Sequence, residues 1–150
     1  MWGVKSKMLG KCIVLVFLFV GTLWDLKKNM VPKNYLVIWG IQSIIYFSFE
    51  IIHGKSVLDI FIGLIPGIVA IVLSVITREQ IGMGDGLILL SVGCFQSIKD
   101  ILSMLFFSFV ILTIISIFLL AIRRVGRKSQ VPFVPFMLMG QIIVIFGGIS

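Results

Sequence analysis

Residues 57 to 77 read VLDIFIGLIPGIVAIVLSVIT, twenty-one residues with one charge, Asp59, in the first turn. A helix crosses the roughly 30 Å hydrocarbon core of a bilayer in about 20 apolar residues, so this stretch has the length and character of a membrane span. Four other runs match it: 8–24, 35–52, 101–122 and 131–149. A sixth, 86–98 (GLILLSVGCFQSI), is short. It reads as a spanning helix that borrows residues from its flanks, with a re-entrant segment as the alternative. The chain as a whole is 59% hydrophobic over 150 residues, with a mean hydropathy of +1.20. A water-soluble domain of that length could not hide so much apolar surface. These observations predict an all-α membrane protein, a six-transmembrane-helix bundle forming one domain over residues 1–150. The first run follows Lys5, Lys7 and Lys11 as a signal peptide would, but Trp24-Asp25-Leu26-Lys27 offers no small-residue cleavage site. A retained helix is expected there.

The net charge of +7 comes from basic residues clustered in the gaps between apolar runs. That pattern orients a membrane protein rather than marking a nucleic-acid surface. Six spans place both termini on one side. With the termini outside, the inner gaps carry Lys27, Lys28, Lys33, Arg78, Arg123, Arg124, Arg127 and Lys128, eight cations against five (Lys5, Lys7, Lys11, Lys55 and Lys99) outside. The preference for that orientation is modest. Cys12 and Cys94 lie in separate apolar runs without a CxxC pair, which argues against a structural metal or redox site.

Six acids remain. Glu50, Asp59, Glu79 and Asp100 fall near helix ends with basic residues close by, Asp100 next to Lys99 and Glu79 next to Arg78. They read as interfacial or capping charges. Asp25 and Asp85 differ. Asp25 closes the first span and Asp85 opens the fourth, in REQIGMGDGLILL (78–90). The two intervening crossings return the chain to the same face, so both acids share a side and a depth whichever orientation holds. Like charges a few ångströms apart cannot both ionise easily, so such a pair tends to hold one proton. One carboxylate can then draw a proton from an attacking water while the other, protonated, polarises a peptide carbonyl. No metal or other cofactor is required. Gly82, Gly84 and Gly86 would let the backbone approach a substrate and adopt angles denied to other residues. The alternative reading of Asp85 is a helix N-cap, and of Asp25 a helix-ending charge.

Three stretches together give the chain a family likeness: DLKKNMVPKNY from Asp25, GMGDGLILL from Gly82 and VPFVPFMLMG from Val131. With the six-run pattern they resemble the type IV prepilin peptidases, membrane aspartic proteases of the GxGD class. The resemblance implies that Asp25 and Asp85 are the catalytic aspartates, that Gly82 and Gly84 are the motif glycines, and that Pro32 is the proline of the first loop. It implies cleavage of the short basic leader of prepilin-like or pseudopilin precursors at the cytoplasmic face of a bacterial cell membrane. It also implies no N-methyltransferase activity, since the cysteine-bearing insertion of the larger members is missing. Two departures stand out. Lys33 separates Pro32 from Asn34, and Leu87 stands where the family often has lysine two places after the second aspartate. The role of that lysine is either absent or filled by Lys27, Lys28 or Arg78.

Lys27, Lys28 and Lys33 otherwise serve as orienting charges or meet lipid head groups. Pro66-Gly67 is expected to kink the third span, and Pro132 and Pro135 to shape the start of the last helix beside the site. His53, the single histidine, falls on the side opposite the two acids and is discounted. The competing function is a small proton- or cation-coupled transporter whose membrane acids carry the ion. A third is a protease of the same class with other substrates. Oligomeric state is not legible in the sequence.

Overall fold

The computed structural model describes the backbone of residues 2–28, 32–54, 56–77, 83–122 and 132–148, and their side chains apart from residues 2–6 and 28. Six helices follow one another: α1 (Trp2–Lys28), α2 (Lys33–Ile52), α3 (Val57–Ile76), α4 (Met83–Phe95), α5 (Ile98–Ala121) and α6 (Val134–Phe146). All six apolar runs are therefore helical, and α1, α2, α3 and α5 are each long and apolar enough to cross a membrane. The fold is an all-α membrane bundle.

The ends differ from the sequence expectation in physically readable ways. α1 continues through its lysine-bearing flanks, because lysine is a good helix former and the apolar run is only the buried middle. α4 begins three residues earlier than expected and stops three earlier, at Phe95, where Gln96 and Ser97 turn the chain directly into α5. The 13 residues of α4 and of α6 each span only about 20 Å at 1.5 Å per residue. Arg78, Arg123, Arg124, Arg127, Lys128 and Lys55, on which the orientation count depends, lie outside the described residues, as does Glu79.

Packing divides the bundle into two groups. α4 lies along α3 and α2, while α6 lies along α1 and α5; contacts of α1 with α4, α3 with α5 and α4 with α5 are much sparser. The α3·α4 seam is closed by small residues. Gly63 and Gly93 face each other across it, so that a Cβ at Gly63 would stand 2.7 Å from the Gly93 carbonyl oxygen, and a Cβ at Gly67 would overlap the Leu90 backbone. In lipid, where burial of apolar surface adds nothing between helices, such backbone proximity is what holds them together. Gly67 is thus a packing residue, and α3 runs as one helix through Pro66.

Phe17, Trp39, Phe95 and Tyr46 form an aromatic ridge joining α1, α2 and α4, with ring centroids 3.9, 5.5 and 4.6 Å apart in turn. The outward faces carry aliphatic and aromatic side chains such as Leu58, Phe106, Ile117 and Phe118, as a lipid-facing surface requires. Hydroxyls within the spans return to their own helix: Thr22 donates to the Leu18 carbonyl at 2.7 Å, Ser43 to Trp39 at 2.8 Å and Thr113 to Phe109 at 2.7 Å. No water is needed to satisfy them.

Candidate active site

Asp25 sits in the last turn of α1, one turn beyond Thr22 and Gly21. The α1 face that carries it also carries buried Val14, Leu18 and Thr22, so Asp25 points inward and is only 6% exposed. Asp85 occupies the first turn of α4 and is half-buried. Asp85 stands close enough to Asp25 for the charge of Asp25 to act on it. Two helices that are not neighbours in sequence thus bring their single acids together at one end of the bundle, where the two-crossing argument places them.

A third helix completes the arrangement. The backbone N–H of Val134, at the first position of α6, reaches the Asp25 carboxylate. Pro135 follows at the second position of α6, where a missing N–H costs nothing and the fixed φ favours a helix start. The Val134 N–H, at the positive dipole end of α6, therefore faces the Asp25 carboxyl group. Oδ2 of Asp25 is buried with no hydrogen-bond partner among the described residues, which leaves a carboxylate oxygen open to the neighbouring acid, a water or a substrate. α2 contributes from the fourth side. Pro32 caps it, its carbonyl accepting from the N–H groups of Tyr35 and Leu36 at 3.0 and 3.2 Å. Tyr35 then donates through its hydroxyl to the Phe17 carbonyl, tying α2 to α1 below the acids.

Gly86, next to Asp85, packs on Ile71, and α3 continues to Ile76, about 8 Å further. On the other flank Gly140 of α6 packs on Met104 and Ser108 of α5. From that level α5 climbs 13 residues to Ala121 while α6 climbs six to Val134, so α5 ends about 10 Å beyond Val134. α3 and α5 therefore extend past the level at which they pack on the helices of the pair.

Not every residue marked in the sequence joins the pair. Lys27, Lys33 and Asn34 are exposed, and the side chain of Lys28 and all of Gly82 lie outside the described residues. Pro132 precedes α6 and is half-buried. Leu87 is 37% exposed on the outer face of α4, a position that suits an apolar side chain meeting lipid. The glycines do not supply the unusual backbone angles expected of them where the structure describes them. Gly84 and Gly86 are in regular helix, and among the described glycines only Gly54 and Gly148 have positive φ. A Cβ at Gly86 would press on Ile71, whose Cγ1 would be 2.9 Å away, whereas one at Gly84 would meet only Leu36 Cδ1, at 4.0 Å. Gly86 is thus required by helix packing, and Gly84 alone borders open space. His53 ends α2 at the opposite end, its Nδ1 2.8 Å from the Phe49 carbonyl.

Of the remaining acids, read as interfacial or capping charges, two are not interfacial, although Asp100 keeps a first-turn position beside the N-cap Ser97 of α5. Glu50 and Asp100 are both buried. Asp100 pairs with Lys11 of α1 at 3.0 Å, not with its neighbour Lys99, and accepts from the Ser97 hydroxyl at 2.8 Å. The Val134 contact was equally missed. The proline run at 132–135 was its one available signal, since it marks a helix N-terminus whose free donors need an acceptor.

Chemically, two adjacent carboxylates of which one holds a proton can activate water and polarise a carbonyl without a metal. Comparison with known proteins gives a concordant result. The model of the type IV leader peptidase family matches residues 12–117, a stretch that takes in both aspartates and ends within α5. No curated protein and no solved structure matches the chain.

Proposed function

The chain belongs to the type IV leader peptidase family, and we propose that it acts as an aspartic endopeptidase whose catalytic pair is Asp25 and Asp85. Membership decides for a peptidase over a small transporter and implies prepilin-type substrates in general. The observation that carries the finer reading is the meeting of the two acids from α1 and α4 with one buried carboxylate oxygen, Asp25 Oδ2, left open.

In the proposed reaction a water lies between the carboxylates. The ionised member takes a proton from it as its oxygen bonds to the scissile carbonyl carbon, and the protonated member donates to the carbonyl oxygen. The tetrahedral diol collapses when the departing amine receives a proton from the first carboxyl and a diol hydroxyl returns its proton to the second, so that the C–N bond breaks, the new carboxyl group forms and the pair again holds one proton. Because α3 and α5 extend roughly 8–10 Å past the level of the helices that hold the pair, the leader enters as extended chain, which suits the junction between a short basic leader and the apolar helix that follows. Gly84, bordering open space, is where such a strand can approach α4. Cleavage at the cytoplasmic face of a bacterial cell membrane follows from the termini-outside orientation favoured by the cation count. The chain acts as a single membrane-embedded peptidase domain and does not methylate its product.

Co-expression with a precursor bearing a basic leader before an apolar helix tests this. Asp25→Asn and Asp85→Asn are each expected to stop leader removal while the protein stays in the membrane at wild-type amount. Wild-type cleavage by either variant would refute the pair.

A further inference from the structure

The two acids sit on helices that scarcely touch. α1 leans on α6, and α4 on α3 and α2. At the site end the glycine of α1, Gly21, faces Val134 and Tyr35 rather than α4. Something else must fix how far α1 stands along α4, because a slide or tilt of either rod moves one carboxylate relative to the other.

The far end of the bundle holds that fixing point. A Cβ at Gly10 would lie 2.5 Å from the Phe95 carbonyl oxygen, so here the α1 backbone meets the last residue of α4 directly. One residue along, Lys11 forms its 3.0 Å ion pair with Asp100, whose side chain is buried while that of Lys11 is 12% exposed. Asp100 is anchored to the α4–α5 corner by the Ser97 hydroxyl. The Lys11 carbonyl accepts from Gln141 Nε2 of α6 at 3.4 Å. Three helices besides α1 are therefore tied to two consecutive α1 residues. Lys11 and Asp25 are 14 residues apart on one helix, about 21 Å, and Phe95 and Asp85 are ten apart on the other, about 15 Å.

We propose that Lys11 and Asp100 are positioning residues of the peptidase, a clamp that sets the register of α1 against α4 and so the separation of Asp25 and Asp85. The proposal rests on the reading of those two acids as the reacting pair. An ionic clamp suits the task. A close charge pair in low-dielectric surroundings resists being drawn apart, whereas two apolar side chains in lipid-like surroundings slide past each other with little change in contact.

The test compares Lys11→Met, Asp100→Leu, the apolar double Lys11→Met/Asp100→Leu and the swapped double Lys11→Asp/Asp100→Lys, all as full-length protein in detergent. The readouts are thermal unfolding, kcat and KM on a precursor with a basic leader. The single variants strand a buried charge and are expected to unfold more readily. The apolar double removes both charges and is expected to unfold within a few degrees of wild type, yet with kcat lowered about tenfold or more and KM within about twofold, as misplacement of reacting groups produces. The swapped pair is expected to regain most of the kcat. A well-folded apolar double with wild-type kcat overturns the clamp. So does a swapped double that folds without regaining kcat. A second readout is independent of catalysis: disulfide formation between cysteines placed at 25 and 85, with Cys12 and Cys94 replaced by serine. The apolar double is expected to slow it, and an unchanged rate also overturns the clamp. Because this readout involves no peptide cleavage, a failed catalytic assignment and a failed clamp give different results.

Discussion

α4 meets α3 and α1 in opposite ways. Against α3 it presents bare backbone at Gly86, Leu90 and Gly93, each answered by Ile71, Gly67 or Gly63, and the seam leaves no room for a methyl group. Against α1 it has one backbone contact, Gly10 on Phe95, and elsewhere the aromatic and aliphatic side chains of a softer core. The tight seam fixes Asp85 to a rigid group of helices, α2, α3 and α4. The loose one lets Asp25 arrive on a different group, α1, α5 and α6. The two acids are thus held by differently built seams, and a substrate that reaches both meets both groups of helices.

That contrast can be broken at several points. The largest effect is expected at the pair, where Asp25→Asn or Asp85→Asn should lower kcat by about a hundred- to ten-thousand-fold with thermal unfolding unchanged. The next is Gly67→Val on the tight seam. Leu90 has no space to yield, so the variant should lose about 1–3 kcal/mol or more, as overpacked cores do, read as a lower unfolding temperature in detergent. Tyr35→Phe probes the tie between the groups. Loss of its bond to the Phe17 carbonyl should cost about 1 kcal/mol and leave KM nearly unchanged. The smallest effect on stability is expected from Gly84→Ala, since the added methyl meets only Leu36 at 4.0 Å. If it nevertheless slows cleavage at an unaltered unfolding temperature, Gly84 is where the substrate backbone approaches.

The sequence carried the helices and the shared face of Asp25 and Asp85, because both follow from run length and crossing parity. It did not carry the partners. Asp100 stands beside Lys99 in the chain, yet in a helix consecutive residues point in different directions, and the cation that reaches it, Lys11, is 89 positions away. Read from the sequence, α4 starts three residues late, because the apolar run begins at Gly86 while the helix already includes Met83, Gly84 and Asp85. Gly86 looked like a substrate residue until Ile71 was seen beside it. For Asp100 and Gly86 the decisive neighbour comes from a distant part of the chain, and no local pattern records it.

The central claim is that the acids on the two helix groups work as one unit. It is tested most directly by measuring kcat for Asp25→Asn, Asp85→Asn and the double variant under one set of conditions. Residues acting as a unit give grossly non-additive losses, so all three proteins are predicted to fall to the same floor. A double variant whose loss is the product of the two single losses would contradict it.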